Sequence, residues 1–127
     1  MANVAKKRPK HLNLFQITLP IQGFASILHR VSGAALFLML PVLIWLLQLS
    51  LGNGSQYELF RAITGNILVK LILLGLLWSY LHHFCMGIRV LLIDLHVGVD
   101  KAPAKKSAIA VLVVSLALTL ILGASLW

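Results

Sequence analysis

The chain has 127 residues, of which 60% are hydrophobic and 11% charged. Ordinary soluble domains carry roughly 25% charged residues, so a soluble fold of this size could not cover so apolar a chain, and the composition is that of an integral membrane protein. The formal net charge is +8, but the basic residues collect at the ends of apolar segments, as topology signals do, and do not form a nucleic-acid footprint. The single cysteine, Cys85, excludes an internal disulfide and a cysteine-based metal cage. It lies in an apolar run and reads as a small packed side chain.

The chain reads as a single membrane domain over 1–127, opening with a segment at 1–22 that carries Lys6, Lys7, Arg8 and Lys10. A cleaved signal peptide does not suit it: about 20 mixed residues separate the basic cluster from the apolar run, and that run is too long for a signal h-region. About 20 apolar residues cross a bilayer as a helix. The first helix is predicted over about 23–51, after Pro20, with Pro41 inside it as a potential kink.

The stretch "FASILHRVSG", Phe24 to Gly33, puts a hydroxyl, an imidazole and a guanidinium at the start of this span. At 100° per residue, Ser26, His29, Arg30 and Gly33 fall within about a 100° arc, which Phe37 continues. Gly33, one turn deeper, leaves room for something bulky. Taken singly, Arg30 could reach the headgroups and His29 could rest in the interface. Taken together they read as a site, because ionisable groups inside a membrane are expensive and functional candidates by default. Ser26 can donate to a carbonyl oxygen, Arg30 can stabilise negative charge developing on it, and His29 can relay protons or hold an anionic group. A quinone headgroup suits this set.

"GNGSQYE", Gly52 to Glu58, reads as a polar turn, and the second span follows over about 66–93. It is long enough to tilt or protrude. Around His83, Gly87, Val90 and Asp94 lie within about 40° and Tyr80 within about 60°. A histidine with glycine one turn away suits haem, since imidazole ligates iron and the missing side chain admits the flat ring. His83 lies about 16 Å of helix from Asp94, near mid-membrane. A hydrogen-bonded packing histidine is the competing reading. No second His, Asp or Glu stands three or four residues after His83, so an ordinary metal site is disfavoured. His82, Arg89 and His96 form another stripe at spacings of seven, directed at a neighbouring helix or the headgroups. Spans one and three hold no other deep histidine, so a second axial ligand would have to come from another chain.

"DKAPAKK", Asp100 to Lys106, reads as a basic loop before a third span over about 107–127. Basic residues flank span one on its N-terminal side and fill this second loop. The first loop has only Arg61, with Lys70 snorkelling from span two. The positive-inside rule then puts the N-terminus and second loop in the cytoplasm, or the mitochondrial matrix, and the C-terminus across the membrane. Three helices make a thin bundle whose polar groups need partners, which points to a larger assembly.

These stretches together resemble the cytochrome b556 subunit family of succinate dehydrogenase. "RPKHLNL" followed by "LPIQGFASILHRVSG" is similar to its N-terminal signature, and "HHFCMGIRVLLIDLH" to its second, H-x-x-x-G-x-R followed by an apolar turn and Asp. The resemblance covers essentially the whole chain. It implies an all-α membrane protein whose three transmembrane helices form half of a haem-binding bundle, completed by a second anchor subunit. It implies that His83 is the axial ligand of haem b, with the other axial histidine on the second anchor. Ser26 and Arg30 would line the ubiquinone pocket, His29 and Arg30 would contact haem propionates, and Asp94 would serve a proton route. FAD and iron–sulfur clusters would reside only in partners, a flavoprotein and an iron–sulfur subunit, so the chain itself would perform no succinate chemistry. His82 and Val90 depart from residues common in the family. The implied location is a bacterial cytoplasmic membrane, favoured by compact length and no evident transit peptide. Competing expectations are the anchor of a quinol:fumarate reductase and a non-redox membrane scaffold.

Overall fold

The computed structural model describes residues 10–11 and 13–127. Lys6, Lys7 and Arg8 of the N-terminal basic cluster lie outside them. Four helices follow in order: α1, Ile21–Ser50; α2, Gly54–Gly65; α3, Ile67–Asp94; α4, Lys101–Leu126. The three long ones, α1, α3 and α4, have the length and apolar composition to cross a membrane.

Helix α1 starts directly after Pro20, whose extended backbone (φ −66°, ψ 155°) turns the chain into the helix and whose carbonyl accepts from Phe24 N–H. It runs unbroken through Pro41. The predicted polar turn at 52–58 holds the start of α2, a helix that the polar composition hid. Asn53 and Gln56 form a reciprocal capping box: Gln56 N–H donates to Asn53 Oδ1 and Asn53 N–H to Gln56 Oε1, both at 3.1 Å. Gly52 is required here, because a Cβ would collide with the Gln56 amide. Asn66 both ends α2 and caps α3, its Oδ1 accepting from Leu68 N–H at 2.9 Å.

The end of α3 is a Schellman turn. Val97 N–H reaches back to Leu92 O and His96 N–H to Ile93 O, both at 2.9 Å. The left-handed position that glycine usually fills holds His96, at φ 62°. The predicted basic loop after it is shorter than expected: α4 is already helical from Lys101, with Pro103 in the first turn, where a missing N–H costs nothing.

Helix α3 runs antiparallel to both neighbours and contacts each extensively, while α1 and α4 touch less. The buried positions follow a seven-residue rhythm. Ala25, Ser32 and Leu46 keep it on α1, and Ser79, His82, Met86 and Arg89 on α3, while buried Leu49 and Leu81 fall outside it. On α4 the buried face is almost entirely small: Ala108, Val111, Ser115, Thr119 and Gly123. Lipid tails are as apolar as leucine, so close backbone approach and van der Waals contact hold such helices together, and small residues permit it. Ser115 and Thr119 satisfy their hydroxyls on the carbonyls of Leu112 and Ser115 in their own helix. Large apolar side chains such as Phe37, Leu38, Leu120 and Ile121 point outward.

Candidate functional site

The sequence-predicted patch on α1 and the predicted ligand on α3 meet at His29 and His83. The two rings stack with centroids 4.3 Å apart. Gly33 makes the approach possible: a Cβ there would lie 2.8 Å from His83 Cε1. The bulky group that Gly33 accommodates is therefore this chain's own imidazole.

His83 Nδ1 lies 3.1 Å from the backbone carbonyl of His29. A carbonyl only accepts, so Nδ1 carries the hydrogen, and in the neutral ring Nε2 keeps its lone pair. Ser32 donates its hydroxyl to the same carbonyl at 2.9 Å and stands 3.4 Å from His83 Nδ1. The imidazole is thus fixed in tautomer and orientation by α1. Its Nε2 has no partner among the described residues and is not enclosed by protein. On the same side of α3, a Cβ added at Gly87 would meet nothing, so the flank one turn away is open.

His82, the preceding residue, does the same for the carbonyl one turn earlier on α1. It is completely buried, and its Nε2 lies 3.4 Å from the carbonyl of Ala25. Adjacent histidines on α3 therefore grip carbonyls four residues apart on α1. Trp78 stacks on His82 at 5.2 Å; Trp78 Nε1 and His82 Nδ1 are buried without a partner among the described residues. The stripe of sevens from His82 to Arg89 is the buried seam of α3. His96, past the helix end, is exposed.

The remaining predicted residues are less enclosed. Ser26 is half-buried, and Arg30 and Asp94 are exposed. Asp94 is the last residue of α3. No group of three or more His, Cys, Asp or Glu that could hold a metal ion occurs among the described residues. Sequence reasoning missed Ser32. Its signal was the spacing of seven from Ala25, which puts two small residues on one helix seam.

The comparisons agree with the architecture. Residues 4–122 match the family model described as succinate dehydrogenase/fumarate reductase transmembrane subunit. The chain is 34% identical over 122 residues to the succinate dehydrogenase cytochrome b556 subunit of Coxiella burnetii, covering 95% of this chain and 98% of that protein. It is 31% identical to the protein of that name in Rickettsia typhi, covering 94% and 93%, and 27% identical to that of Paracoccus denitrificans, covering 95% and 94%. Three apolar helices, a family model matched over nearly the full length and relatives more than 30% identical leave one conclusion: the chain belongs to the succinate dehydrogenase/fumarate reductase transmembrane subunit family.

Proposed function

We propose that this chain is the larger membrane anchor of a succinate dehydrogenase in a bacterial cytoplasmic membrane, N-terminus inside, where it holds haem b and lines the ubiquinone pocket. The observation that carries the reading is the His83 hydrogen bond to His29 O. Metal-ligating histidines almost always donate their second N–H to a carbonyl, carboxylate or water, which fixes the tautomer and raises ligand basicity. His83 has that arrangement, with Nε2 available and open space at Gly87. The residues present therefore fit a haem that His83 would hold, with a second anchor subunit supplying what this chain lacks.

Haem bound there would supply one-electron storage beside the quinone. The chain's own residues do the rest. His83, with its Nε2 unpartnered among the described residues, would hold the iron, and His29, stacked against it, and Arg30 would pair with the propionates. Ser26 donates a hydrogen bond to a quinone carbonyl and orients the ring. Arg30 stabilises negative charge developing on the quinone oxygen, which counts for more in a water-poor site than in bulk solvent. Asp94, exposed at the end of α3, is suited to pass protons toward the site. Succinate would be oxidised at a flavin in one partner, with iron–sulfur clusters in another carrying electrons to this pocket. A quinol:fumarate reductase would use the same anchor; potentials in the partners and the quinone set the direction. A scaffold without redox function would explain three spans and basic loops, but it would give His83 and the Ser26–Arg30 patch no joint purpose.

The test is a dithionite-reduced minus oxidised spectrum of the complex purified through a tag on this chain. A b-type signal with flavoprotein and iron–sulfur subunits is expected, and His83→Ala should abolish the band. Ser26→Ala and Arg30→Ala should lower quinone reduction, on the order of 10²-fold for the loss of a charge-stabilising donor. Succinate oxidation with an artificial dye should stay intact. Equal loss of both activities would overturn the quinone assignment.

A further inference from the structure

Arg89 is 8% exposed, yet it forms no ion pair among the described residues. Its Nε donates to Ser107 Oγ at 2.9 Å and Nη2 to Ala104 O at 3.2 Å, while Nη1 meets only the weakly accepting Met86 sulfur at 3.9 Å. A guanidinium has five N–H donors. Two therefore have no acceptor among the described residues, and the positive charge has no counter-charge there. Buried charges are ordinarily paired. Asp94 and Asp100, the carboxylates at this end of the bundle, are both exposed and do not reach it.

Arg89 also lines a cleft of about 330 Å³ between α3 and α4. Its other walls are almost wholly apolar, including Ile88, Leu92, Val97, Ala110 and Val111. The depth is informative. Helix α3, with 28 residues, is about 42 Å long against a hydrocarbon core of about 30 Å. Arg89 lies five residues, about 7 Å, from its end, at the boundary between headgroups and tails. Lys106 is exposed and falls within about 60° of Pro103 and Ala110 and about 100° from Ser107, at the flank of the α4 side of the cleft, whereas Lys105 points about 140–160° away from all three.

A cation with an unmet charge, an apolar slot beneath it and a lysine at the rim make a complement to one molecule: a phospholipid with a net negative headgroup. We propose that the cleft between the basic ends of α3 and α4 seats one anionic phospholipid, its phosphate on Arg89 and Lys106 and one acyl chain along Ile88, Leu92 and Ala110. Basic pockets between transmembrane helices bind such headgroups. Helix α4 contacts the rest of the chain through its small-residue face, so a lipid wedged here would also hold α4 against α3.

The experiment is native mass spectrometry of the whole complex, purified in mild detergent and re-equilibrated with defined phosphatidylglycerol or phosphatidylcholine. The wild type should retain one phosphatidylglycerol and lose phosphatidylcholine. Ala110→Trp, which fills the slot while leaving Arg89 in place, should abolish retention with the complex assembled. Lys106→Ala, at an exposed position that folding does not need, should weaken it about fivefold, and Lys105→Ala should change little. Equal retention of the two lipids would overturn the proposal. So would lipid retained in Ala110→Trp, or loss of a partner subunit in that variant, which would show that protein occupies the cleft.

Discussion

The two seams of α3 solve the same problem in different ways. Toward α1, polar rings are packed against backbone: His82 on Ala25 O, His83 on His29 O, with Gly33 leaving room for the His83 ring. Toward α4, a stripe of small residues brings the helices together, and the one long polar group, Arg89, lies along α4 to reach Ala104 O and Ser107. The first seam immobilises an imidazole and leaves one nitrogen free. The second leaves a charge unmet. Both place polar atoms inside a membrane protein, and both bind them to the facing helix, because lipid offers nothing to hydrogen-bond.

The comparison can be broken from either side. Gly33→Val should have the largest effect. Its Cβ would meet the His83 ring at 2.8 Å, and the branched methyls would force the imidazole off the His29 carbonyl. Overpacking of this kind costs about 1–3 kcal/mol. The purified complex should melt earlier and its haem band should shift or vanish. Ser115→Leu, on the opposite seam, should cost a similar or smaller amount, about 1–2 kcal/mol, by pushing α4 away. Here the band should stay where it is. A spectrum altered equally by both changes would mean that the seams are not independent. The smallest effect is expected at the turn between them. His96 occupies a left-handed position at φ 62°, which costs a residue with a Cβ about 1 kcal/mol. His96→Gly should therefore raise the melting temperature slightly, with no change in spectrum.

Part of the site is legible in the amino-acid sequence. Ser26, His29, Arg30 and Gly33 stand out as one arc, because a helix period of 3.6 turns spacing into direction. His83 stands out as a deep histidine one turn from a glycine. Two readings are completed only by the packing. Gly33 is expected to make room for a bulky group, and that group proves to be His83. The stripe from His82 to Arg89 has two possible directions, and it is the buried seam. Helix α2 is hard to see because its 12 residues are too few and too polar to register as a span, although Asn53 and Gln56 are a capping pair in plain sight.

What the sequence determined by itself is the set of membrane crossings and the chemistry gathered on each helix. Crossing a bilayer demands only length and apolarity, and the direction of a side chain along one helix follows from the helix period, so both are local properties. Which faces meet is settled by the packing of the helices against one another. In water, an apolar stripe announces the buried face of a helix. In lipid, the outward face is apolar as well, so no apolar stripe marks the inside of α3 or α4. Close approach chose it instead: Gly33 admitting His83, and the small face of α4 admitting α3, so that Arg89 came to lie where no carboxylate among the described residues answers it.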